Sequence, residues 1–123
     1  MDNGINDDSV GTSINVVGIQ QRMEDPEFLQ EILEVFKESY PHNMAALNEA
    51  IDAKDYSSIE RYAHSLKGEL MNFFSGRVVA LAYKIELLGR NASSEDLVEL
   101  HAAFKKEMDE LAPLIEEMAA LDW

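Results

Sequence analysis

Residues 25–55, DPEFLQEILEVFKESYPHNMAALNEAIDAKD, determine the fold class of this chain. Asp25 and Pro26 form a helix start, because Asp caps free backbone amides and Pro fits the first helical position. Apolar residues then recur at helical spacing: Phe28, Leu29, Ile32, Leu33, Phe36, Tyr40, Met44, Leu47 and Ile51. Since this register survives Pro41, the stretch predicts one long helix, kinked at Pro41 and ended by Lys54-Asp55.

The rest of the chain continues the helical pattern, and no segment alternates with the period of a strand. Further helices are predicted at residues 14–23, 56–74 and 76–88, and from Ser93 or Ser94 to about residue 118. Gly89 is expected to end the third of these. Short connections between amphipathic helices favour antiparallel neighbours. The predicted fold is therefore all-α, an up-down antiparallel four-helix bundle with a short extra N-terminal helix. Residues 1–13 are expected to form a flexible tail and residues 14–123 one bundle domain.

Composition limits the possible partners. The 123 residues suit a single domain, and the absence of cysteine excludes disulfides and cysteine-based zinc sites. Ten basic against 24 acidic residues give a formal charge of −14, which repels nucleic acid and anionic membranes. The N-terminus has no signal-peptide pattern, and no apolar run is long enough to cross a bilayer. We therefore expect a cytoplasmic monomer that binds neither nucleic acid nor membrane.

The helix predicted over residues 56–74 carries a candidate nucleophile, His64. At about 100° per residue, the apolar stripe of this helix lies almost opposite His64, so the imidazole is predicted to face solvent. An exposed imidazole is largely neutral, and hence nucleophilic, at cellular pH.

Two neighbours give His64 a chemical context. Lys67 and Gly68 follow it by three and four residues, the spacings that place residues side by side on a helix. The ammonium of Lys67 could neutralise a phosphoryl oxygen. Gly68 costs roughly 0.5–1 kcal/mol relative to Ala inside a helix, and its missing side chain leaves room for a phosphoryl group and a partner. These features suit phosphoryl acceptance, and on the residues alone they indicate it about as strongly as the alternative, a surface histidine without function beside a tolerated glycine.

The segment Ala63-His64-Ser65-Leu66-Lys67-Gly68 resembles the A-H-x-L-K-G signature of histidine phosphotransfer (HPt) domains. The resemblance extends to a Phe-rich helix with a central Pro before the site, and to Leu88-Gly89-Arg90 after it. It spans roughly residues 14–120. In that family the histidine lies on the second helix of a four-helix bundle, as the apolar register predicts independently for His64.

The resemblance implies a phosphocarrier in a two-component phosphorelay. His64 would carry the phosphoryl group, assisted by Lys67 and Gly68, and the partners would be response-regulator receiver domains and a hybrid sensor histidine kinase. No cofactor is expected on this chain, since the receiver brings its own Mg²⁺. The predicted docking surface consists of Ser57, Glu60, Arg61, Ser65, Met71, Ser75 and Arg90. For Arg90, a simpler role as a favourable cation at a helix C-terminus is an alternative.

The sequence departs from the family pattern just after the signature. Glu69, Leu70 and Phe74 occupy positions where the family has small residues and a glycine. Glu69 and Leu70 are predicted to lie off the His64 face, so the acceptor chemistry should survive. The departures therefore concern how this helix packs against the next and which receivers fit.

Three other functions are compared with the phosphorelay carrier. The first is the phosphoacceptor module of a chemotaxis-type histidine kinase, phosphorylated from ATP. The second is a non-catalytic helical adapter in which His64 is silent. A di-metal bundle is disfavoured, because none of the three histidines has a Glu three residues before it. His42 and His101 are predicted to be surface residues, and no kinase or phosphatase activity of the chain itself is expected.

Overall fold

The computed structural model describes residues 11–16, 19 and 25–120. This part of the chain contains the helices α1 (Pro26–Ala53), α2 (Tyr56–Met71), α3 (Arg77–Arg90) and α4 (Leu97–Ala120), and the two-residue strands β1 (Ser13–Ile14) and β2 (Phe74–Ser75). Helix α2 packs against α1 and α3, and α4 closes the bundle by packing against both α3 and α1. The predicted all-α four-helix bundle is confirmed.

Helix α1 forms as its sequence predicts. The Asp25 side chain accepts a hydrogen bond of 3.1 Å from the backbone amide of Phe28, and Pro26 is the first helical residue. The helix continues through Pro41. It ends at Lys54, whose left-handed conformation (φ 55°) lets its amide bond back to carbonyls of the last turn.

One apolar core lies between the four helices. Its largest fully buried side chains are Phe73, Phe74, Phe104, Leu29, Leu33, Leu47, Ile59, Leu66, Leu70, Leu81, Ile85 and Ile115. Three of them, Ile59, Leu66 and Leu70, form the inward stripe of α2. Because burying each such side chain is worth about 1.5–3 kcal/mol, this stripe fixes the rotation of α2 and therefore which of its residues face solvent.

Helix α2 ends at Met71, three residues before the predicted end. Phe74 and Ser75 are instead extended and pair antiparallel with β1, with Ser13 opposite Ser75 and Ile14 opposite Phe74. The prediction that the chain has no strand is wrong at these four residues. A two-residue strand is too short to produce the alternation by which strands are detected in a sequence.

Residues 11–16, called the N-terminal strap below, are held against the bundle. Thr12 Oγ1 accepts a hydrogen bond of 2.9 Å from the Val78 amide and donates one of 2.8 Å to Glu107 Oε2. The backbone amide of Asn15 donates to the Phe73 carbonyl at 2.6 Å.

The strap changes two predictions about the N-terminus. Residues 1–10 of the predicted tail lie outside the described residues, but residues 11–13 are in contact with the bundle. The helix predicted over residues 14–23 is wrong at Ile14, which is in a strand. Asn15 is not helical either, Val16 and Ile19 are helical, and residues 17–18 and 20–23 lie outside the described residues.

The predicted ends of the last two helices also need correction. Gly89 does not end α3, which continues through it to Arg90. Neither Ser93 nor Ser94 caps α4, because two turns with positive φ at Ala92 (49°) and Asp96 (58°) delay its start to Leu97. Among the described helices, none combines the length and apolar character needed to cross a membrane.

Candidate functional site

The imidazole of His64 faces solvent, as the helical wheel predicts. Its side chain is 66% exposed, whereas Ala63 and Leu66 on either side of it are fully buried. The rotation of α2 that buries its apolar stripe thus presents His64 to any approaching molecule.

One nitrogen of His64 contacts a buried carboxylate that sequence analysis missed. Nδ1 of His64 lies 3.1 Å from Oε2 of Glu86, a residue of α3 whose side chain is only 3% exposed. Glu86 falls in the buried stripe of α3 together with Val79, Ala82 and Gly89. A charged residue at a core position is the signal that could have found it, because such residues are rarely buried without partners.

Two cations hold the carboxylate of Glu86. Lys67 Nζ lies 2.7 Å from Oε1, and Arg90 Nη2 donates to Oε2 at 2.9 Å. Burial by itself would raise the pKa of Glu86, but hydrogen bonds from Lys67 and His64 outweigh it and hold the pKa below its ordinary value. The carboxylate is therefore ionised at neutral pH and can only accept hydrogen bonds. Arg90 also donates to Glu60 at 2.8 Å, which links the site to the surface of α2.

Lys67 is turned toward α3 rather than into solvent beside His64. Its side chain is 18% exposed, and Nζ lies 4.8 Å from the centre of the Tyr83 ring in addition to its contact with Glu86. The side chain thus supports the carboxylate behind the imidazole. Its role toward a phosphoryl group stays a prediction.

Gly68 borders open space. A Cβ added at this position would meet no other atom within 4 Å, and the residue is exposed. The cleared volume that the sequence predicts one turn from His64 is present, and its use by a phosphoryl group or partner remains a prediction.

Most of the predicted docking residues surround His64. Five of the seven line one shallow depression together with His64 and Glu86: Ser57, Glu60, Arg61, Ser65 and Arg90. The other two lie farther along. Met71 is 36% exposed at the end of α2, and Ser75 is half-buried in β2.

The three departures from the family pattern contribute to packing. Glu69 accepts hydrogen bonds from Ser39 Oγ and, at 2.7 Å, from Asn43 Nδ2, so it ties α2 to α1. Leu70 and Phe74 are buried in the core. Glu69 and Leu70 therefore lie off the His64 face, as predicted, and Phe74 is accommodated because it belongs to β2 instead of the helix.

The other two histidines lie elsewhere. His42 is exposed, as predicted. His101 is not a surface residue: it is half-buried, and burial together with the nearby Lys105 lowers its pKa. Among the residues that the structure describes, no three His, Asp or Glu side chains are grouped as metal ligands.

The structure thus places an exposed histidine on the second helix of a four-helix bundle, in contact with an ion-paired carboxylate of the third helix. Residues 31–113 match the Hpt domain family, and the chain belongs to that family, whose members act in phosphorelays. The predicted family resemblance is confirmed. A search of curated proteins finds no match to this sequence.

The fold is similar to a solved structure, the histidine-containing phosphotransfer protein B from Pseudomonas aeruginosa PAO1. The TM-score is 0.75 at 17% sequence identity, and the match covers 85% of this chain and 91% of the other. At this identity, the similarity concerns the fold alone.

Proposed function

We propose that this chain accepts a phosphoryl group on His64 from the phospho-aspartate of one receiver domain and passes it to a second receiver. The observation that carries the proposal is the contact of His64 Nδ1 with Glu86 at 3.1 Å behind an imidazole that is otherwise exposed. This arrangement assigns different tasks to the two ring nitrogens.

The inner nitrogen holds the proton and the outer nitrogen reacts. Because ionised Glu86 can only accept, Nδ1 must be the donor of their hydrogen bond. The neutral ring then carries its lone pair on Nε2, which points away from Glu86. Nε2 attacks phosphorus in line, an N–P bond forms, and the bond from phosphorus to the aspartyl oxygen of the receiver breaks.

The carrier and the receiver divide the stabilisation of charge. Lys67 provides a cation behind the imidazole, and Gly68 leaves space for the phosphoryl oxygens. The receiver brings the Mg²⁺ that neutralises most of the phosphoryl charge. This chain thus contributes the nucleophile and its orientation.

Exposed apolar side chains support a protein partner. Met71 is 36% exposed two turns from His64. Phe28 and Val35, 51% and 62% exposed, line a groove between α1 and Asn72, the residue after Met71. Exposed apolar side chains that cluster on a surface are typical of protein docking sites. We assign this surface and the depression around His64 to the receiver.

The test is incubation of the full chain with a panel of phosphorylated receiver domains, which a hybrid sensor kinase has phosphorylated beforehand and from which ATP has been removed. The chain should become labelled without ATP, and the label should be acid-labile and base-stable, as a phosphoramidate is. Labelling by an isolated kinase catalytic domain with ATP, and never by a receiver, would instead assign the chain to chemotaxis-type kinases. Absence of any label would favour an adapter.

A further inference from the structure

We propose that the apolar groove between α1 and Asn72 receives an arginine side chain of the receiver domain, and that the carboxylate of Glu69 binds its guanidinium. The inference rests on the proposed function, which assigns this groove to the receiver. Glu69 would then determine which receivers this chain binds well.

Glu69 is an exception among the acidic side chains of this molecule. In the described part of the chain, four acidic residues are buried or half-buried: Glu60, Glu69, Glu86 and Glu107. Arg90 pairs with Glu60 and Glu86, and Arg77 pairs with Glu107. No cationic side chain of the described residues lies within ion-pair distance of Glu69. Because carboxylates withdrawn from water usually have a cationic partner, Glu69 is suited to a cation that another molecule supplies.

Two neutral donors on α1 orient the Glu69 carboxylate without neutralising its charge. Ser39 Oγ donates to Oε2, and Asn43 Nδ2 donates to Oε1 at 2.7 Å. A carboxylate has about four acceptor sites on its two oxygens, so about two of them stay open. The planar guanidinium of arginine can donate two parallel N–H bonds to such a pair of oxygens, whereas the ammonium of lysine acts as a point charge.

The walls of the groove suit the remainder of an arginine side chain. Glu69 lines the groove with Glu31, Ile32, Phe36 and the exposed Phe28 and Val35. The methylene groups of arginine can cover apolar surface of this kind, and the guanidinium can also lie over an aromatic ring such as that of Phe28. The groove measures about 260 Å³, below the roughly 300–1,000 Å³ of small-molecule sites, which favours a single side chain as the occupant.

The position of Glu69 separates binding from chemistry. Its hydrogen bonds run to α1, whereas His64 contacts Glu86 of α3. A change at Glu69 should therefore alter the affinity for the receiver and leave the transfer rate at saturation unchanged. Position 69 is also one of the three at which this chain departs from the pattern of its family, so a receiver that depends on this carboxylate would distinguish this chain from relatives with a small residue there.

The experiment uses the full chain and the receiver of the panel that binds it most tightly. The Kd of the unphosphorylated receiver is measured by isothermal titration at low and high salt, and transfer from the phosphorylated receiver is timed at saturation. Glu69→Gln keeps the size of the side chain and removes its charge. This variant should raise Kd about tenfold, which corresponds to about 1.4 kcal/mol, and make Kd less dependent on salt. The transfer rate at saturation should stay the same.

The matched control is Glu110→Gln, which removes one negative charge from an exposed position of α4 outside the groove. Its Kd should equal that of wild type. The arginine is then identified by changing each surface arginine of the receiver to Gln. One of these changes should raise Kd about as much as Glu69→Gln does, and the two changes together should raise it no further than either alone.

Equal Kd values for wild type and Glu69→Gln would overturn the inference, and so would a receiver in which no arginine is coupled to Glu69. Self-association of the chain that is lost in Glu69→Gln would assign the groove to a second copy and overturn it as well. If Glu69→Gln does not fold, Val35→Arg at an exposed position replaces it. The new arginine should occupy the groove and raise Kd about tenfold; an unchanged Kd would overturn the inference.

The proposed function fails in a different way. Binding that depends on Glu69, to receivers that pass no phosphoryl group to this chain, would contradict the proposed function and support the inference. Normal transfer with the same Kd in wild type and Glu69→Gln would overturn the inference and support the proposed function.

Discussion

Two helical glycines of this bundle have opposite surroundings. A Cβ added at Gly68 of α2 would meet nothing within 4 Å, whereas one added at Gly89 of α3 would lie 2.5 Å from the Glu60 amide nitrogen and 2.9 Å from the Tyr56 carbonyl oxygen. In intrinsic helix propensity, both residues are less favourable than alanine. Gly89 is therefore required for the close packing of α3 against α2. The packing of the helices does not require a glycine at position 68.

The two glycines mark two surfaces of α2. The acceptor face carries His64 and Gly68, and the packing seam is the contact of Tyr56 and Glu60 with Gly89 of α3. On the seam, the absence of a side chain at Gly89 lets α3 approach the first turns of α2. That approach brings Arg90 within 2.8 Å of Glu60 and places Glu86 behind His64. On the acceptor face, the space at Gly68 remains open to solvent. The packing seam thus positions Glu86 and Arg90 next to His64, while the acceptor face remains accessible to a partner.

The largest expected effect is on the acceptor face and comes from His64→Gln. Because His64 supplies the nucleophile, this variant should take up no label from phosphorylated receivers. The unfolding free energy should change by no more than about 1 kcal/mol, because the position is exposed and Gln can still donate a hydrogen bond to Glu86. Labelling and a urea melt measure the two quantities. The controls are His42→Gln and His101→Gln, which should label normally. Label on the His64 variant would show that the acceptor lies elsewhere.

At the packing seam, Gly89→Ala should lower the stability of the fold. The added Cβ must push apart two backbones, and this strain exceeds the gain of about 1 kcal/mol in helix propensity. We expect a net loss of at least about 2 kcal/mol, or roughly 5–10 °C in Tm. A thermal melt measures it. A Tm equal to that of wild type would mean that the helices can separate at little cost, and the contrast between the two glycines would disappear.

On the acceptor face, Gly68→Gln should affect function alone. The longer side chain projects into the space beside His64, where it obstructs the phosphoryl group and the receiver. Transfer should slow at least about tenfold, equivalent to about 1.4 kcal/mol of barrier, with Tm maintained. Single-turnover time courses with one receiver provide the measurement. A wild-type rate would leave Gly68 as a helix defect without explanation.

The smallest effect is expected for Gly68→Ala. Since no atom lies near the new Cβ, the variant should gain up to about 1 kcal/mol from helix propensity. Its Tm should equal or exceed that of wild type, in contrast to the same substitution at Gly89. The pair of thermal melts is the sharpest comparison, because the chemical change is identical. A decrease in Tm for Gly68→Ala would indicate a packing role that the structure does not contain.

The sequence predicts the helices well because their signals are local. The start of α1 at Asp25-Pro26 and the outward direction of His64 both follow from caps and from apolar spacing within one helix. Lys67 and Gly68 are predictable for the same reason, as neighbours of His64 on one helix surface.

What the sequence does not predict depends on contacts between distant segments. Glu86 reaches His64 across 22 residues, and its position in the apolar stripe of α3 becomes meaningful only once α2 is packed against it. Gly89 has the local signal of a helix stop, yet its purpose is contact with the backbone of α2. Ser93 and Ser94 likewise have capping chemistry, but the turns before Leu97 place them outside the helix.

The start of α3 depends on residues from two distant segments of the chain. Its own N-cap residue, Gly76, has no side chain to offer, and the Thr12 hydroxyl takes that role from 66 residues away by accepting the Val78 amide. The same hydroxyl donates to Glu107 of α4. An isolated peptide with the α3 sequence would therefore lack its cap, and the cap forms only after residues 12 and 78 have been brought together.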